Sequence, residues 1–69
     1  MKDRTFVTIV VALVTSRRQY LNMARKCAER MREPELSEAR REDLRLDVAY
    51  YVGRARARNH ALIDLRKGE

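Results

Sequence analysis

Apolar residues recur along the first half of the chain at alternating steps of four and three. Phe6, Val10, Leu13, Tyr20, Ala24, Cys27 and Met31 fall on one seam, and Arg17 interrupts it. Val7, Val14, Leu21 and Ala28 widen the same stripe. The second half repeats the pattern through Leu44, Val48, Tyr51, Ala55, Leu62 and Leu65, with Arg58 as its exception. A seam of this period belongs to a helix that lies along another helix.

Between the two halves stands Glu33-Pro34-Glu35-Leu36-Ser37-Glu38, with the only proline. Proline removes a helical hydrogen bond and turns the residue before it away from helix. Ser37 suits an N-cap, and Glu35 and Glu38 place negative charge near a helix N-terminus. The pattern therefore predicts one helical hairpin domain over residues 1–69: a helix over about 4–32, a turn over about 33–37 and a helix over about 38–67. Gly68, just past Arg66 and Lys67, reads as the C-terminal stop. Each helix would run roughly 43 Å. The expected fold class is all-α, an antiparallel two-helix hairpin that dimerises into a four-helix assembly.

Residues 6–14 carry two rival readings. Their sequence, FVTIVVALV, is rich in strand formers, and Ser16 to Gln19 fits a capping box. A strand followed by two helices would match the plan of ribbon-helix-helix DNA-binding proteins. A groove-reading ribbon needs a polar face, and here only Thr8 interrupts either face. The same segment, behind Met1-Lys2-Asp3-Arg4, has the length of a signal-peptide core, which Asp3 weakens. It is too short to span a bilayer, which takes about 20 apolar residues. The reading kept is a buried helical element, with no membrane contact and a cytoplasmic location.

With 69 residues, the chain builds one small core. Such a core usually yields only about 3–5 kcal/mol, so small proteins add disulfides, a metal or a second copy. Cys27 has no second cysteine to pair with, and Cys27 and His60 cannot make the four-ligand set of a structural zinc. Neither a metal nor a cofactor is expected, and a homodimer remains.

Chemistry is equally sparse. There is no glycine-rich phosphate loop. In a hairpin Cys27 lies beside roughly residue 43, which leaves His60 about 25 Å away by helical rise. A nucleophile and its base need about 3 Å. The expectation is a protein that is not an enzyme.

The second helix carries a further face. Ala49, Gly53, Ala57 and Ala61 recur every four residues, largely opposite the Leu44–Leu65 seam. Small residues at that step let another backbone come close, and Gly53 costs about 1 kcal/mol in a helix interior without such a reason. This ladder is the expected dimer contact. Leu46 and Tyr50 flank it.

The formal charge is +6, and Arg supplies 13 of the 16 cations. Both ends of the chain are basic and the segment around the turn is not, so a hairpin concentrates charge at its open end. Arg17 and Arg18 come to a level similar to Arg54, Arg56 and Arg58, and Tyr20 should face residue 50. Tyr with Arg is the composition of a protein-contact hot spot. The expected partner-binding residues are Leu46, Tyr50, Gly53, Arg54, Arg56 and His60. A basic helical dimer that binds nucleic acid is the alternative.

A short, Arg-rich, two-helix chain with Arg17 on its first helix and the ladder Ala49-Gly53-Ala57-Ala61 on its second resembles the small anti-quorum-sensing proteins of Mu-like Pseudomonas phages. The resemblance spans the whole chain in size and plan and rests on no diagnostic motif. It implies a phage-encoded helical dimer, an anti-activator that binds a LuxR-type transcriptional activator of the host and blocks its DNA binding. It also implies inhibition of a pilus assembly ATPase. No family contact residue carries over to a position of this chain.

Overall fold

The structure is a computed structural model that describes residues 4–68. The Met1–Asp3 portion of the signal-peptide reading lies outside the described residues. Two helices make the fold: α1 spans Arg4–Arg30 and α2 spans Glu38–Lys67. They pack against each other as a hairpin, and no strand occurs among the described residues.

Residues 6–14 are helical, which removes the ribbon reading. A single strand would leave its backbone N–H and C=O groups unpaired, whereas a helix satisfies them locally. The β-branched residues cost a few tenths of a kcal/mol each in helix propensity, a loss that packing of Phe6, Val10 and Leu13 outweighs. Thr8 donates its hydroxyl to the Arg4 carbonyl at 2.9 Å, so its polar group is also satisfied within the helix.

α1 stops at Arg30, two residues short of the expected end near 32. The tightening toward Pro34 explains this. Met31 N–H still reaches the Cys27 carbonyl, but Arg32 and Glu33 bond three residues back, to Glu29 and Arg30. The chain then reverses with Pro34 in second place, closed by Leu36 N–H on the Glu33 carbonyl at 3.3 Å. Ser37, with φ −66° and ψ 157°, caps α2 by accepting from the Arg40 N–H at 3.2 Å. Arg41 reaches back across the turn and donates to the Glu33 carbonyl at 3.3 Å. At the far end Gly68 lies in the right-handed region, φ −74°, with its N–H on the Asp64 carbonyl. Its role as a stop thus needs none of glycine's freedom.

The core is small and sits toward the turn. Ala24, Cys27, Leu44 and Ala55 are the buried residues, and Leu44 is 2% exposed. The hairpin measures 55 × 16 × 12 Å with a radius of gyration of 16.0 Å. A compact chain of this length would have about 11 Å. Its accessible surface is 5734 Å², against roughly 4,500 Å² for a compact chain of its mass. The excess follows from the rod shape, which leaves apolar side chains uncovered, among them Val7, Ile9, Val11, Leu21 and Ile63.

Candidate protein-interaction faces

The two arginines that break the seams meet each other's helices. Arg17 donates to the Asn59 Oδ1 at 2.8 Å, and Arg58 Nε donates to the Ser16 Oγ at 3.2 Å. Arg58 also lies over the Tyr20 ring, 5.4 Å from its centre. Each helix contributes one arginine and one short polar acceptor, and the two rungs stand side by side. The partners Ser16 and Asn59 went unnoticed from sequence because each lies beside its seam, next to the arginine that interrupts it. A polar layer of this kind fixes register, since sliding one helix by a turn would strand both guanidiniums.

Tyr20 packs against Tyr51, with ring centres 6.2 Å apart, where residue 50 was expected. Tyr51 is half-buried on the seam, and its ring meets the edge of Tyr50 at 5.4 Å and 73°. Tyr50 itself turns outward and is 55% exposed. Arg54, one turn on, donates from Nε to the Tyr50 hydroxyl at 3.2 Å. That hydrogen bond first, then the proximity of the Tyr50 and Tyr20 hydroxyls, raises Arg54 above its ordinary value. Arg54 thus sets its guanidinium beside the exposed Tyr50 ring, 5.4 Å from the ring centre.

The outer stripe of α2 is open. Leu46 is 61% exposed. Ala49, Gly53, Ala57 and His60 are exposed, and Ala61 is half-buried. A Cβ built on Gly53 would meet no atom within 4 Å. The hairpin itself therefore gives no packing reason for this glycine or for the ladder around it.

Arg56 stands at the far edge of this stripe, one turn from His60. It lies about 120° around the helix from Tyr50, and it lines the opposite flank together with Leu21, Val52 and Asn59. The alternation of Arg54, Arg56 and Arg58 sends each guanidinium to a different side. The expected partner-binding residues thus spread over a wide arc of α2, with Arg54 at one edge and Arg56, beside the groove, at the other.

On that other flank runs a shallow apolar groove between the helices. Val10 and Val14 form one wall toward the open end, with Leu62 and Ile63 opposite. Leu21 and Val52 continue it toward the turn. Arg17 and Asn59 line both stretches, so the groove is continuous across the polar rung. Sequence reasoning saw Val14 and Leu21 as a broadening of the seam and missed Val52, Ile63 and Arg66. The signal was present: Val52, Asn59, Ile63 and Arg66 follow steps of seven, four and three beside the seam.

Charge is divided along the rod. No Asp or Glu occurs in residues 4–28 or 48–63, which lie side by side. Arg17, Arg18, Arg54, Arg56 and Arg58 lie in these stretches, and the acceptors of Arg17, Arg54 and Arg58 are neutral: Asn59, Tyr50 and Ser16. The described ion pair, Arg45 with Glu42 at 3.3 Å, sits near the turn.

Among the described residues there is no group of three His, Cys, Asp or Glu that could hold a metal ion. Cys27 is buried and His60 exposed on another part of the rod. No helix among the described residues is long and apolar enough to cross a membrane. No family model, no curated protein and no solved structure matches this chain.

Proposed function

We propose that the chain is a small non-enzymatic, protein-binding inhibitor that works as a homodimer in the cytoplasm of a bacterial host. Its target is a host protein, and the resemblance to phage anti-quorum-sensing proteins makes that target a LuxR-type transcriptional activator whose DNA binding is blocked. A pilus assembly ATPase is the second target the resemblance implies. The supporting observation is the uncovered outer face of α2, where Leu46 and the Tyr50–Arg54 pair flank a ladder of small residues. Tyr and Arg are the residue types enriched at the hot spots of protein contacts. The ladder of Ala49, Gly53, Ala57 and Ala61 supplies the close approach for a second copy.

Affinity capture from bacterial lysate, followed by mass spectrometry, tests the reading. Wild-type protein should retain a specific protein, and Tyr50→Ala should lose it with helicity unchanged. In a gel-shift assay, wild-type protein should release a LuxR-type activator from its DNA and Tyr50→Ala should not. Retention of nucleic acid alone would refute the proposal.

The carboxylate-free stretches, with their seven arginines, favour a second reading, a dimer that binds nucleic acid. That reading requires affinity that falls steeply with salt and survives Tyr50→Ala.

A further inference from the structure

The groove lies on the flank opposite Tyr50 and meets the outer face of α2 at Arg56. Its floor is apolar, with Val10, Val14, Leu21, Val52 and Ile63 along it. Its cations are Arg17 in the middle, Arg56 toward the turn and Arg66 toward the open end. No carboxylate lines it. Arg17 spends one N–H on Asn59 and keeps other donors, while Arg56 and Arg66 are exposed.

We infer that this groove receives an acidic amphipathic helix of a partner protein; the inference rests on the protein-binding reading above. Apolar side chains of that helix would sit on the valine and leucine floor. Carboxylates along its two edges would meet the three guanidiniums, which form forked hydrogen bonds to carboxylate. The groove runs from the level of Val10 to that of Leu21, and its end residues extend it to about 20 Å, so it matches a helix of about 14 residues.

Two other occupants fit less well. A nucleic-acid backbone would bring phosphates to the arginines and find no use for the apolar floor of Val10, Val14, Leu21, Val52 and Ile63. A second copy seated here about a twofold axis would bring Arg17, Arg56 and Arg66 against their own equivalents. The nearest carboxylate, Asp64, follows Ile63 in sequence but does not line the groove, so such a contact would set arginine against arginine. The neutral ladder of α2 carries no such repulsion.

The probe is a 15-residue amphipathic helical peptide with Leu on one face and Glu on the other, labelled for fluorescence anisotropy. Its counterpart carries Lys in place of Glu, and a blunt 20-bp DNA duplex serves as competitor. The Glu peptide should bind at least about tenfold tighter than the Lys peptide. Arg56→Glu and Ile63→Asp should each weaken it by about fivefold or more with helicity retained, and Tyr50→Ala should leave it unchanged. Amide shifts in NMR spectra should centre on Val14, Leu21, Val52 and Ile63.

Equal affinity for the two peptides, or indifference to both groove variants, would overturn the assignment. So would displacement of the peptide by the duplex, or amide shifts at the groove on simple concentration of the protein, which would place a second copy there. Loss of these peptide results with Tyr50-dependent capture intact removes the groove proposal alone. Loss of both removes the protein-binding reading as well.

Discussion

The two ends of the rod are built on opposite terms. Near the turn the chain is modest in apolar content and, Leu46 apart, better covered: Cys27 and Leu44 are buried, Ser37 caps α2, and Arg41 ties back to Glu33. Toward the open end the chain is richest in Val, Ile and Leu, yet no residue before Ala24 in α1 or after Ala55 in α2 is buried. Two helices can bury one seam between them and no more. Where a helix is apolar on more than one side, the remainder waits for another molecule. The contrast teaches that local order and hydrophobic content need not coincide: the turn end closes on itself, and the open half presents surface.

The sharpest way to break this comparison is at Leu44. Leu44→Ala removes the most buried side chain, and a cost of about 2–5 kcal/mol is expected. For a core this small that should abolish a cooperative urea transition followed by circular dichroism. A loss below about 1 kcal/mol would mean that the turn end is not the stable half.

The polar layer divides the two ends, and Arg58→Ala probes it. It removes a part-buried hydrogen bond to Ser16 and the stack on Tyr20. The expected cost is about 1–2 kcal/mol. A double-mutant cycle with Ser16→Ala should recover a coupling, and strict additivity would show that the rung contributes nothing.

Val11→Ala should have the smallest effect. Val11 is 57% exposed, and alanine is the better helix former, so the dilute chain should change by less than about 0.5 kcal/mol. A cost near that of Leu44→Ala would show that the open end is covered after all.

Much of this was legible in the residues. The alternating seam and the Pro34 break located both helices to within two residues, because periodicity and proline act locally. Arg17 and Arg58 were visible as interruptions, but their acceptors were not, because the meeting of Ser16 with Arg58 depends on the register of two helices. Register also explains Tyr20, which meets Tyr51 where Tyr50 was expected: a turn of seven residues with tightened hydrogen bonds shifts the facing positions. Arg56 was grouped with Tyr50 by closeness in sequence, and the helical step sets the two about 120° apart, with Arg56 at the edge of the outer stripe beside the groove. The groove needed both helices in place, since neither Leu21 nor Val52 alone shows whether anything covers it.

The account stands or falls on whether another chain completes this surface, and sedimentation equilibrium measures that directly. At tens of micromolar the wild-type protein should sediment at twice its chain mass of 8.2 kDa. Gly53→Leu, which fills the open ladder without touching the hairpin's own packing, should shift it toward monomer with helicity retained. A wild-type protein that stays monomeric at that concentration and melts cooperatively would contradict the account.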